Sequence, residues 1–483
     1  MSVGTLVAGV DSSTQSTKVV IVDPDDGHVV AQGAAGHTVA GTDGARESDP
    51  REWWSALRQA LAATGRATEI GAISIAGQQH GLVVLDGGGR PLRGAALWND
   101  TRSAPDAELL TERLGAETWA TLTGLRPVAS FTVCKWAWLR RTEPDLIRDV
   151  AAVRLPHDYL TERLADVAAT DRGDASGTGW WSPVTGRYLD QILQLPEVQL
   201  DPERLPAILA PADAAGVVGA GAAAELGLSP GAIVGPGTGD NMAAALGLGL
   251  AVGQAAMSLG TSGTIFAVAD RPTADPSGIV AGFADATGRF LPLAATLNCT
   301  VAVDRMAGWL GLDRDDVAPA ESVVVLPYFD GERTPNLPLA SGTVHGLRHG
   351  TTPQQILMAA YEGAVASLLV AFDAIGAAVG GLDPDAPLML VGGGARGQTW
   401  RSVVARLTGR AVQIPDSAEL VALGAAVQAT AILRGESAAA VAARWGGARG
   451  SLLEPVPLDR ERLALNRTAI SAAVAEYRAP DGL

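Results

Sequence analysis

Apolar residues in this chain come in short runs separated by small polar knots. Leu6–Val10 and Val19–Val22 are two such runs, and their spacing predicts two strands joined by a polar turn, with a further strand region over Val29–Val39. Pro50–Ala63 has helical spacing, with Trp53, Leu57 and Leu61 on one face. Ala72–Asp86 reads as strand, loop and strand around Gly-Gln-Gln-His-Gly, and Gly94–Arg102 as a strand end running into a polar loop. Segment 104–160 is mostly helical in period, and Ala165–Trp181 is rich in loops.

The second half repeats the style of the first. Gln254–Asp270 is again strand, Gly/Ser/Thr turn and strand. Pro353–Val370 predicts a strong helix, with Thr352 as N-cap and Pro353 first inside it. Leu388–Leu407 predicts strand, glycine turn and helix. Ala418–Leu433 predicts a helix with a small-residue face, and the last forty-odd residues one or two closing helices. The polar turns also match each other. Val10–Thr17 overlays Met257–Thr264 without a gap, setting Thr14 on Thr261 and Thr17 on Thr264. The separation far exceeds a solenoid period and suggests two homologous domains, each opening with a hairpin. The division expected from it is 1–246 and 247–483.

Composition narrows the function classes. The 483 residues carry a net charge of −16 with no basic stripe, which argues against nucleic-acid binding. Only Cys134 and Cys299 are present, which suggests a reducing compartment. No uninterrupted apolar run of membrane-spanning length is apparent, and the chain reads as cytoplasmic, with no membrane partner.

The turns themselves suggest phosphate chemistry. A tight turn aims several backbone N–H groups at one point, and Ser and Thr hydroxyls add more donors. Asp11 in the first turn suits a Mg²⁺ shell, which takes one or two carboxylates and fills the rest with water and phosphate oxygens. Its counterpart in the second turn is Ser258, so any metal role is asymmetric. A P-loop is excluded, because Lys18 precedes Val19 and Lys135 precedes Trp136, with no Gly-Lys-Ser/Thr run. Val391–Gly397, with three consecutive glycines, allows close approach of backbone to a ligand. Asp240, in Gly-Thr-Gly-Asp-Asn, heads a small-residue helix and is either an N-cap or a general base, with Asn241 beside it. Gln79 and His80, between glycines, suit recognition of vicinal hydroxyls.

Together these residues resemble the FGGY carbohydrate kinases. Ser130–Leu139 looks like that family's first signature, departing near its end at Thr142, and Gly342–Leu347 followed by Gln355–Glu362 fits its second. The resemblance covers essentially the whole chain. It implies an α/β fold of two actin-like (ribonuclease H-like) domains with an ATP cleft between them, and ATP- and Mg²⁺-dependent phosphorylation of a sugar. Stretches such as Glu47–Trp54, Leu97–Pro105 and Asp330–Pro338 point to D-xylulose, with ribulose, glycerol or a related polyol as alternative acceptors. A motor- or chaperone-like ATPase on the same fold would have little use for the Gln79-His80 and Asp240-Asn241 pairs. By resemblance, Asp240 accepts the proton and Asp11 supports metal and phosphate. Gln79, His80, Trp98, Asp240 and Asn241 bind sugar. Thr14, Gln15 and Lys18 line the first phosphate turn, and Gly260 and Thr261 the second. Gly393, Gly394 and Ala395 approach the nucleotide, with Gly424 and Ala425 near the adenosine. A homodimer is compatible with this reading. Two departures stand out: Gln79-His80 where many bacterial members show Met-His, and Ser13 where the family often has Gly, which a turn needing positive φ would strain.

Overall fold

The N-terminal polar knot closes an antiparallel hairpin. In the computed structural model, which describes residues 5–478, strands Leu6–Ser12 and Ser16–Val22 pair with Asp11 opposite Lys18 and Ser12 opposite Thr17. Val29–Gly36 joins as a third antiparallel strand, and Ile70–Gly77 lies parallel to the first on its other side. Ile233–Val234 continues parallel, and Gly216–Val217 closes the edge antiparallel. Helix Pro50–Thr64 covers one face, burying Trp53, Leu57 and Leu61 as its spacing predicts.

The second half builds the same sheet again. Ala255–Leu259 and Gly263–Ala267 form its hairpin, and Phe290–Thr296 its third strand. Leu388–Val391 runs parallel to Ala255–Leu259, and Val412–Pro415 runs parallel to that. Gly450–Leu453 pairs antiparallel beyond it, a strand that the closing segment was not expected to hold. Strand order and direction therefore match across the two sheets, and the duplication extends well past the two turns. These are the two actin-like α/β units expected from the resemblance.

The gapless overlay of the turns does need one correction. Leu259 faces Gly263 and Ser258 faces Thr264, so the second turn is one residue shorter than the first. Asp11 still matches Ser258, but Lys18 rather than Thr17 takes the place of Thr264.

Two helices join the halves. Helix Asp240–Leu248 leads out of the first sheet. Helix Leu420–Arg434, from the far end of the chain, packs on it and on strands Leu6–Ser12 and Ile70–Gly77. Glycines let the backbones touch: a Cβ on Gly424 would lie 1.9 Å from the Ala243 carbonyl oxygen, and one on Gly9 1.9 Å from that of Ala422.

Helix Pro353–Val379 runs nine residues beyond its expected end, and Thr352 caps it: its hydroxyl accepts from Gln355 N–H, while Thr352 N–H donates to Gln355 Oε1. By length and composition it could cross a membrane, a property missed in looking for an uninterrupted run because Tyr361, Glu362 and Ser367 interrupt it. Here it is a core helix of the second unit. Its Glu362 is buried and accepts from Arg462 Nε at 2.8 Å, with Arg406 on its other oxygen.

Gly424→Ala is expected to destabilise the protein by about 1–3 kcal/mol through overpacking. Gly376→Ala, half-buried in the last turn of helix Pro353–Val379 with no atom within 4 Å of the added carbon, should stabilise it by roughly 0.5–1 kcal/mol. Urea midpoints for the two variants check this; equal shifts would remove the close-contact account.

Candidate active site

A cavity of about 300 Å³ opens between the two sheets. Thr14, Gln79, His80, Trp98, Asp240 and Asn241 reach it from the first half, and Gly260 and Thr261 from the second. Eight positions read from separate stretches of the sequence thus share one hollow. Eight do not line it: Asp11, Gln15, Lys18, Gly393, Gly394, Ala395, Gly424 and Ala425. Asp11 and Lys18 face each other across the first hairpin.

Asp240 owes its position to the turn before it. Gly237 has φ +72°, and a Cβ there would meet the Ile75 carbonyl oxygen at 2.8 Å and the His157 ring at 2.4 Å, so the turn needs glycine. Gly239 is the N-cap and Asp240 the first helical residue, one place inside the capping position considered from sequence. Its Oδ1 accepts from Asn241 N–H at 2.8 Å and Asn241 Nδ2 at 2.9 Å, and that amide also donates to Gln79 Oε1 at 2.8 Å. Burial, with help from the nearby charges of Asp11 and Asp174, pushes the Asp240 carboxyl up to about 7. A carboxyl poised there can both hold and release a proton near neutral pH.

His80 sits in the left-handed region at φ 66°, a conformation that persists only where the surroundings enforce it. Its ring lies edge-on to Phe131 at 5.1 Å and tilted on Phe283 at 5.4 Å. Burial, then the Lys135 and Arg333 cations, hold it well below the usual histidine range, so it is neutral. His80 Nδ1 and Gln79 Nε2 are buried with no protein partner. Both residues line the cavity, so a ligand meets neutral polar side chains there rather than a charge, with His80 Nδ1 itself turned against Gly177. Trp98 stands exposed at the rim, its indole N–H donating to Thr14 Oγ1 at 3.1 Å.

On the first hairpin Asp11 is buried and accepts from the Ser13 hydroxyl at 2.5 Å. Burial raises it to about 6, against the lowering effects of Ser13 and Lys18. Neither Ser13 nor Gly260 has a positive φ, so serine is unstrained in this turn. Lys18 does not point into the turn. Its ammonium pairs with Glu419, at 2.8 and 3.1 Å, at the start of helix Leu420–Arg434. Asp11 is thereby left without a direct cationic partner. No group of three or more acidic, histidine or cysteine side chains arranged to hold a metal ion exists among the described residues. A divalent cation here would rest on Asp11 and on the oxygens of a bound phosphate, a donor set that fits Mg²⁺.

The second turn is tied to helix Thr300–Leu310, whose Thr300 N–H and hydroxyl both donate to the Gly260 carbonyl, the hydroxyl at 2.8 Å. In the neighbouring glycine turn Gly393 is open, but Gly394 packs on Leu259 and Thr300, and Ala395 is buried. Gly424 faces no ligand surface, because the backbone of helix Asp240–Leu248 covers it.

Sequence reasoning passed over the support of this site. Gln428 is buried in helix Leu420–Arg434, accepts from Ser74 Oγ at 3.0 Å and donates to the Gly237 carbonyl at 3.1 Å, pinning the turn before Asp240. As the one amide in a small-residue apolar helix it was visible in the pattern. Behind the same turn His157 Nδ1 meets Asp174 at 2.8 Å, with Asp158 at 3.2 Å on its other nitrogen. Burial alone would discharge His157, but these carboxylates and Asp171 outweigh it and raise the imidazole to about 9. Asp171 in turn accepts from Thr238 Oγ1 at 2.7 Å. Only the fold gathers this group.

Two family models match in tandem: the N-terminal domain of the FGGY family of carbohydrate kinases over residues 6–247, and its C-terminal domain over 255–433. A xylulose kinase of Streptomyces rubiginosus is 59% identical over 462 residues, 95% of either chain. One of Escherichia coli is 34% identical, covering 86% of this chain and 88% of its own. The crystal structure of xylulose kinase from Bifidobacterium adolescentis superposes with a TM-score of 0.85 at 36% identity, over 97% of this chain and 100% of that one.

Carboxyl-detected NMR of the free protein should show Asp240 titrating near pH 7. Asp11→Asn removes one of the charges that raise it and should move the titration lower; an unmoved or higher value would break the electrostatic link between the two carboxylates.

Proposed function

The chain belongs to the FGGY family of carbohydrate kinases, and we propose that it transfers the terminal phosphoryl group of ATP to D-xylulose, giving ADP and D-xylulose 5-phosphate. The observation that carries this reading is the single cavity in which Asp240, Asn241, Gln79 and His80 meet the turns of both hairpins. High identity along the whole chain to xylulose kinases gives the acceptor.

Asp240 takes the proton of the attacking hydroxyl as its oxygen bonds to phosphorus, and the bond from phosphorus to the bridging oxygen of ADP breaks in line. A carboxyl raised to about 7 is a stronger base than an ordinary aspartate, and supports this role. Gln79, neutral His80 and Asn241 orient the sugar, Trp98 covers its rim, and Thr14, Gly260 and Thr261 aim donors at the phosphates. Asp11 holds Mg²⁺, which when bound offsets phosphate charge. Most of the rate then comes from positioning and charge neutralisation, and closure of the cleft keeps water from competing with the sugar.

A coupled ADP-release assay over a panel of pentuloses and polyols should give the highest kcat/KM with D-xylulose; a clear preference for ribulose or glycerol, or hydrolysis of ATP without sugar, would replace the reading. Asp240→Ala should lose about 10²–10⁴ in kcat while keeping the fold and ATP binding, the usual range for a positioned base. Asp11→Asn should raise the Mg²⁺ concentration needed for half-maximal rate, and an unchanged Mg²⁺ titration would leave Asp11 a structural role only.

A further inference from the structure

Arg333 lines the cavity together with His80, on a loop from the second half of the chain. The loop is held unusually well. Glu332 is buried, and its carboxylate accepts from the backbone N–H groups of Leu297 at 2.6 Å, Arg333 at 2.7 Å and Asn298 at 3.2 Å. Glu332 and Leu337 exchange backbone hydrogen bonds at 2.8 and 2.9 Å, and Thr334 Oγ1 donates to the Ala295 carbonyl. Glu332 is thus occupied with the loop and does not pair with the guanidinium beside it. Among the described residues the Arg333 guanidinium has no ion-pair or hydrogen-bond partner.

Its surroundings make that absence informative. Arg333 lines the cavity with His80, Ser130, Asp240 and Phe283, and it also lines a second hollow of about 440 Å³ with Ala104, Arg126, Ser277 and Pro338. Among the described residues it is the one side chain shared by the two. It is therefore the partition between them. An enclosed guanidinium without an acceptor is costly, and its planar fork of donors matches two neighbouring oxygens. Asp240, the one carboxylate lining the cavity among the described residues, accepts from Asn241, and Glu108 and Glu112, which line the second hollow, make no ion pair with Arg333.

Building on the sugar-kinase reading, we infer that Arg333 is the end wall of the acceptor site. It donates to the carbonyl and hydroxyl oxygens at the end of the ketose remote from the transferred phosphoryl. By its bulk it also limits the acceptor to about five carbons. A longer ketose would have to occupy the space that the guanidinium fills, whereas truncation joins the sugar pocket to the second hollow.

Two variants separate recognition from length selection. Arg333→Ala should raise KM for the five-carbon ketose by about tenfold or more, the range for a lost pocket contact, with KM for ATP little changed. It should also raise the kcat/KM of a seven-carbon ketose relative to the five-carbon one by about tenfold. Arg333→Met fills the space without donors; it should raise KM for the short sugar and leave the longer one excluded. Thermal midpoints check that both variants fold. Unchanged KM and an unchanged sugar-length ratio in Arg333→Ala would overturn the inference, as would a fall in kcat alone, which would assign Arg333 to the phosphoryl group. The ratio is taken against whichever five-carbon acceptor the unsubstituted enzyme prefers, so a change of preferred pentulose would refute the D-xylulose reading without deciding the end wall.

Discussion

The contact on which the rest depends is the backbone-to-backbone packing of helix Leu420–Arg434 against helix Asp240–Leu248 and strand Leu6–Ser12. Gly9, Gly247 and Gly424 stand where any side chain would collide with a neighbouring main chain. Asp240 begins one of these three elements and Asp11 lies near the end of another. Glu419, at the start of the third, takes the Lys18 ammonium. A helix made by the last quarter of the chain thus holds two carboxylates made by the first half in one geometry. Gln428 adds hydrogen bonds to both Ser74 and the Gly237 turn. Close packing transmits any shift of that helix directly to the site, because interiors have little slack.

That packing also sets the electrostatics. Diverting Lys18 to Glu419 leaves Asp11 buried with only a hydroxyl as direct partner, and Asp240 next to it with only an amide and a backbone N–H. Burial raises both carboxyls, and the Asp11 charge raises Asp240 further. Behind the turn, Asp174 of the His157 cluster works in the same direction and raises Asp240 further. A phosphate with its cation would enter a cleft already arranged to need positive charge on the Asp11 side and a proton on the Asp240 side.

The chemistry-bearing positions were legible because each stands out locally. Asp11, Gln79-His80 and Asp240-Asn241 are polar residues at the ends of apolar strands, and the fold gathers such ends at one edge of each sheet. The register of the second hairpin was not legible: a Ser/Thr/Gly turn of three residues looks like one of four until the strands pair. Gly424 and Gly394 were expected at the nucleotide because glycines near a ligand and glycines between backbones have the same sequence signal. The strand Gly450–Leu453 was hidden because an edge strand this short carries no alternating pattern.

By itself, the sequence determined the duplicated α/β plan, the helices with clear 3.6-residue period and eight of the positions that line the cavity, since these follow from local patterning and side-chain chemistry. Tertiary structure alone decided the rest: that Lys18 pairs with Glu419 far along the chain, that Asp11 is therefore without an ion pair, that His80 is neutral, and that Arg333 lines the cavity with its own neighbour's carboxylate turned away. Each of these is a matter of which distant groups exclude water from, or lend charge to, a given atom, and neither depends on residues close in sequence.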